Sequence, residues 1–136
     1  MLKLTVMTKE IPSALWEKFF LNFGKKLAAN ITIQHLPPGG VPVILAQDAS
    51  LVSMALQKQN GQCSDLFLIE TGLPREKPVL FRIVEPIQIL FRREKDGGRF
   101  NHLEILAEDG TTKVTFHPGI EEAALDKMME RVSDAP

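Results

Sequence analysis

The apolar residues of this chain recur in two periods, one helical near the start and one of strand type through the middle. Leu15, Trp16, Phe19, Phe20 and Phe23 stand at spacings of one, three and four, which puts them on one broad stripe of a helix. Pro12 suits the first helical position, where its missing N–H has no partner to lose. Gly24 reads as the residue just past that helix, with Lys25 and Lys26 at the negative end of its dipole. An aromatic stripe of this kind is the docking face of a helix against a sheet. Before it, Leu2–Met7 alternates apolar with polar residues and predicts a short strand.

From Asn30 to Phe116 the period is two. Ile31, Ile33 and His35 alternate with Thr32 and Gln34 up to the breaker run Pro37-Pro38-Gly39-Gly40. Val41–Leu45 predicts a brief strand at a sheet edge, since Pro42 cannot donate to a ladder. Asn60-Gly61 and Asp109-Gly110 are signals for two-residue type I′ turns. The first sets Met54 opposite Phe67 and Val52 opposite Ile69. The second sets Ile105 opposite Val114 and Leu103 opposite Phe116. Between them, Asp96-Gly97-Gly98 allows two registers. A two-residue loop opposes Ile89 to Glu104 and Phe91 to His102, whereas a three-residue loop opposes Ile89 to Ile105, Phe91 to Leu103 and Ile87 to Ala107. A slip of one residue moves every side chain to the other face, so the apolar pattern selects the three-residue loop.

Pro118-Gly119 then breaks the chain, and a second helix is expected from about Ile120 to Val132. Glu121 and Glu122 fall in its first turn and Arg131 near its end, both favourable to the dipole. Leu125, Met128, Met129 and Val132 form its apolar stripe. The predicted fold class is therefore α+β and mainly β: an antiparallel meander of roughly seven or eight strands with one N-terminal and one C-terminal helix. A sheet that long curls or becomes a partly open barrel. In element order it resembles the pleckstrin-homology-like barrel, an analogy that says little about function. Residues 1–136 fit a single domain, with the terminal helix over 119–133 and a frayed tail at 134–136.

Composition narrows the classes of function. An apolar share of 44% with a net charge of −1 belongs to a packed domain and not to a disordered chain. Cys63 is the single cysteine, which rules out an internal disulfide and a Cys-based zinc site. MLKLTVMTKEIP lacks the apolar stretch of a secretory leader, and no apolar run approaches the roughly 20 residues that span a bilayer. The expectation is a cytoplasmic protein without membrane insertion. Charge is uneven: residues 75–99 carry seven bases against four acids, and residues 100–136 carry eight acids against three bases. Such polarity can orient a partner.

Two stretches carry a family resemblance. K-E-I-P-S-A-L-W-E-K-F-F-L-N-F runs from Lys9 to Phe23, and L-E-I-L-A-E-D-G-T-T-K-V-T-F runs from Leu103 to Phe116. Together they resemble a small bacterial domain family of unknown function with an I-P-x-x-x-W-x-x-F-F helix and an L-E-I-x-x-x-D-G-T-T hairpin. The resemblance covers residues 9–117 and implies no catalytic residue. His102 and His117 depart from that family's pattern, so a site built on them is particular to this chain.

The turn registers assemble one constellation. On the face away from the apolar residues they put Arg92, His102 and His117 in a single cross-strand row. The neighbouring row holds Leu90, Glu104 and Thr115, and the next holds Gln88, Leu106 and Lys113. Opposed side chains have Cβ atoms about 5 Å apart, within reach of one ligand. His102, His117 and Glu104 offer imidazole and carboxylate donors to a metal. Arg92, Lys113 and the two imidazoles offer an anion site instead. The bland alternative is a solvated face with an Arg92–Glu104 pair. Leu90 and Leu106 are apolar on the same face and need cover, either from the terminal helix with Met128 and Met129 or from a partner.

No nucleophile elbow, Cys–His pattern or phosphate loop is present, so no catalytic residue and no cofactor are assigned. Phe81, Phe91 and Phe100 lie among arginines as in a base-stacking platform, but the net charge argues against nucleic acid. These features favour a non-enzymatic interaction or regulatory module that binds another protein through a sheet face, a sheet edge or the terminal helix. The alternative is a small-ligand or enzymatic domain using the Arg/His row.

Overall fold

A computed structural model describes residues 8–26, 30–58, 65–72, 77–93 and 99–134. Eight strands form one antiparallel sheet: β1 (Thr8–Glu10), β2 (Asn30–Leu36), β3 (Val43–Lys58), β4 (Asp65–Gly72), β5 (Val79–Val84), β6 (Gln88–Arg93), β7 (Arg99–Ala107) and β8 (Gly110–Glu121). Helix α1 (Trp16–Lys26) follows a 3₁₀ turn at Ser13–Leu15, and α2 (Glu122–Asp134) closes the chain. The strand order is β1-β6-β7-β8-β2-β3-β4-β5. The expected meander is thus present as two runs, β2 to β5 and β6 to β8, joined by the pairing of β2 with β8.

That order forces curvature. In a flat sheet β5 and β6 would lie six strand spacings apart, about 29 Å. The link between them, residues 85–87, reaches at most about 14 Å even when extended. The sheet must curl until β5 comes back towards the other end, and β5 does approach β7. It stops short of a closed barrel. Ile87 N–H donates to the Leu106 carbonyl at 2.7 Å, which fastens the link to the end of β7.

The concave side holds the core, and α1 fills it. Phe20 meets Phe67 of β4 edge-on at 4.8 Å between ring centres, and Phe23 meets Phe116 of β8 at 5.8 Å. Phe19 and Phe23 both contact Phe91 of β6, at 5.9 and 5.4 Å. One short helix therefore ties three strands together, each ring pair contributing about 0.5–1.5 kcal/mol beyond its buried area. Trp16 is anchored by its indole N–H, which donates to the Ile11 carbonyl at 2.6 Å.

Several boundaries differ from the sequence reading. Residues 1–7, which include the Leu2–Met7 strand, lie outside the described residues, as do Asn60-Gly61 and Asp96-Gly97-Gly98. Helix α1 runs through Gly24 to Lys26 and does not stop before it, at the modest cost of one helical glycine, about 1 kcal/mol. Pro12 caps the 3₁₀ turn rather than opening the α-helix. Strand β3 begins only after Pro42 and is 16 residues long. Its first half pairs with β2 and its second half with β4. Pro118-Gly119 does not break the chain: β8 continues through a cis His117–Pro118 bond to Glu121. Ile120, buried opposite Phe100, explains why the strand persists.

The register chosen for β6 and β7 is the observed one, with Phe91 opposite Leu103 and Ile89 opposite Ile105. The other two hairpins are shifted by two residues. Met54 faces Ile69 and Leu56 faces Phe67, while a bulge between Leu51 and Ser53 turns Val52 out to solvent. Leu103 faces Val114 and Ile105 faces Thr112, with Glu108 and Asp109 forming the turn. Gly110 is the first strand residue, at φ +128°, because a Cβ there would overlap the Leu36 carbonyl.

Helix α2 packs on the concave side beside α1, with Leu125 and Val132 in the common core. Lys9, on the same side as its neighbour Phe91, pairs with Asp126 and with Glu122 at 3.6 Å. Arg93 reaches Glu122 at 3.4 Å. The Asp126 hydrogen bond is the main cause that holds the Lys9 ammonium above its ordinary 10.5, against the opposing effect of burial. A raised lysine favours the folded state below 10.5 and loses that contribution as pH rises through the folded value.

Three outcomes are expected. In urea titrations Phe23→Ala lowers the unfolding free energy by about 3–5 kcal/mol. Leu21→Ala, on the exposed side of α1, changes it by less than about 0.5 kcal/mol. Wild type and Lys9→Met should differ by about 0–1 kcal/mol at neutral pH and converge in strong alkali, as read by unfolding curves across pH.

Candidate functional site

The two-residue shift decides what the outer face can do. Arg92 stands opposite His102 as expected, but His102 stands opposite Thr115 and not His117. His117 pairs instead with Asn30 of β2, two positions further along, and is exposed. The expected row of Arg92, His102 and His117 is therefore corrected to Arg92, His102 and Thr115. The next row is Leu90, Glu104 and Lys113, and the third ends on Thr111.

Within these rows the polar groups engage one another. Arg92 Nε lies 3.1 Å from Glu104 Oε2, the pair anticipated for a solvated face. Lys113 stands opposite the same Glu104. His102 is 8% exposed and its Nδ1 lies 3.2 Å from Thr115 Oγ1. Among the described residues no group of three His, Cys, Asp or Glu side chains is arranged to hold a metal. The structure thus brings together Arg92, His102, Glu104 and Lys113 and leaves His117 apart.

Leu90 and Leu106 are not covered by α2, contrary to the expectation, because Leu125 and Val132 commit that helix to the concave side. Leu90 is nevertheless buried, at 6% exposure, and Leu106 is half-buried. Met128 and Met129 are half-buried and pack against the common core. They act there as packing residues.

A different feature emerges at the other end of the sheet. The two sheet edges are β1 and β5, and they are unlike. β1 is described over Thr8, Lys9 and Glu10, and Pro12 follows closely. Charges and proline are usual protections of an edge. β5 has six residues, Val79-Leu-Phe-Arg-Ile-Val84, and pairs with β4 without a register shift. Among the described residues nothing pairs with its other side. Val79, Leu80 and Val84 are 52%, 46% and 59% exposed.

Three adjoining clefts run beside this strand. The first, of about 220 Å³, lies between β5 and the first half of β3, with Leu45, Ala49, Thr71, Lys77, Val79 and Phe81 in its wall. The second, of about 230 Å³, shares Leu45 and Phe81 and adds His35, Arg82, Asp109 and Thr112. The third shares Asp109 and adds Val84, Glu85 and Glu108. The row therefore passes from Lys77 at one end, through a middle cleft that holds both Arg82 and Asp109, to Glu85, Glu108 and Asp109 at the other. His35 Nε2 lies 3.1 Å from the Asp109 carbonyl oxygen and ties β2 to the β7–β8 turn.

Sequence reasoning sought the edge at Val41–Leu45 and missed β5. Part of the first expectation survives, since Val43 and Leu45 are exposed and Leu45 walls two of the clefts. The overlooked signal was an apolar run on both faces, relieved only by Arg82 and bracketed by Pro78 and Pro86. Such a run reads as a buried central strand.

No protein-family model matches the chain, and neither a curated protein nor a solved structure matches it. No helix among the described residues is long and apolar enough to cross a membrane. If the two histidines differ as their surroundings do, His102→Ala costs about 1–2 kcal/mol of stability by urea titration, and His117→Ala less than about 0.5 kcal/mol.

Proposed function

We propose that the protein is a non-enzymatic interaction module that accepts an extended segment of a protein along the free side of β5. The observation that carries this reading is a six-residue edge strand with exposed Val79, Leu80 and Val84 and one charge, Arg82, set beside a row of clefts. Main-chain donors and acceptors on such an edge supply affinity, and pockets for alternate side chains supply selectivity. The clefts beside Phe81 and Leu45 are suited to receive those side chains. The reading assigns the module to the cytoplasm, which fits a chain whose lone Cys63 has no internal disulfide partner. The competing small-ligand reading has less support, because Arg92 is engaged with Glu104 and His117 stands apart from His102.

Hydrogen exchange tests the reading. A display library of extended peptides is selected against the protein and counter-selected on Leu80→Lys/Val84→Lys, two changes at exposed positions that put charge on the strand. Selected peptides are expected to slow exchange of the amides in residues 79–84 and to lose binding to the double variant. Peptides that leave those amides unchanged and protect another surface would overturn the reading, as would failure of any peptide to bind at concentrations where the protein is monomeric.

A further inference from the structure

We infer that the segment β5 accepts is β5 of a second copy of this chain, paired antiparallel about a twofold axis at Phe81. The inference rests on the edge-binding reading above. It starts from a property of the strand itself. A twofold axis perpendicular to a sheet joins two identical edges antiparallel, and each side chain must meet one on the same face. For β5 this condition admits Phe81 opposite itself. Val79 then stands opposite Ile83 of the second copy, and Leu80 opposite its Arg82.

The flanks of the strand select this register. Lys77 precedes β5 and Glu85 follows it. With Phe81 on the axis, Lys77 of each copy comes to the end of the other copy's strand, where Glu85 turns out of the extended conformation at φ +51°, so the symmetry brings these opposite charges near each other twice. Moving the axis to Arg82 would set two guanidinium groups against each other, which is destabilising in directly opposed positions. Moving it to Leu80 would set Lys77 against Ile83 and forfeit both charge pairs.

The surroundings carry the same polarity. Along β5 the clefts run from Lys77, through a middle cleft that holds both Arg82 and Asp109, to the acids Glu85, Glu108 and Asp109. Antiparallel pairing sets the Lys77 end of one copy against the acidic end of the other, and electrostatic matching of this kind selects partner and register. A guest strand complementary to this groove runs basic, apolar, acidic in its own direction from N to C. That is the order of Lys77, Val79–Val84 and Glu85 themselves. Exposed Val79, Leu80 and Val84 would then lie at the junction of two sheets.

Sedimentation velocity with charge-swapped variants tests this. The wild type is expected to sediment as a concentration-dependent dimer. Lys77→Glu and Glu85→Lys each turn two attractive pairs into repulsive ones, and each should weaken dimerisation about tenfold. The double variant Lys77→Glu/Glu85→Lys restores opposite charges and should recover the wild-type constant. Both positions are exposed, so circular dichroism should report the native fold in all variants. A wild type that remains monomeric overturns the inference, and so does a dimer indifferent to both single swaps. The selected peptides separate the two levels: a monomer whose β5 amides they protect loses only the second copy, whereas a monomer they do not protect loses the edge-binding reading as well.

Discussion

The three-residue link between β5 and β6 is the constraint on which the rest of the structure depends. It joins strands that stand six places apart in the sheet, and only a tightly curled sheet can satisfy it. Curling produces the concavity that α1 fills with Phe19, Phe20 and Phe23. It also carries β5 over the β7–β8 turn, so that Phe81 and Arg82 share a cleft with His35 and Asp109. The core and the candidate site are two results of one short connection.

Strand β3 makes that curl possible without a break in the chain. It pairs with β2 along its first half and with β4 along its second, exchanging partners near Ser50. Its register irregularities fall where the exchange occurs, and Asp48 there adopts φ +53°. Bulges of this kind raise local twist and bend a strand. Because β4 pairs only from Ser50 onward, the first half of β3 is left as the wall of a cleft.

What was legible in the sequence follows from the period of the strand. A slip of one residue exchanges faces, so Phe91, Leu103, Ile89 and Ile105 could be matched across the β6–β7 hairpin from their apolar character alone. A slip of two residues keeps every face, and the apolar pattern is blind to it. Both turn-based registers that failed did so by two residues, leaving Met54, Phe67, Val114 and Phe116 correctly buried but wrongly opposed. Buried positions tolerate that error, whereas a constellation of polar side chains does not. This is why the core could be read and the His102–His117 row could not. The helical stripe of α1 was legible for the opposite reason, since its five apolar positions admit one face only. Its end, and the start of α2, depended on contacts such as Ile120 with Phe100 that no local pattern contains.

The inequality of the two edges bears on growth. A sheet that gains strands at both edges lengthens without limit, as fibrils do. Here one border carries Lys9 and Glu10 with Pro12 close behind, and Lys9 is held by the acids of α2. Among the described residues, the β5 border is the one that offers length and apolar surface. Pairing at β5 alone, as proposed above, would cap a sheet rather than extend it.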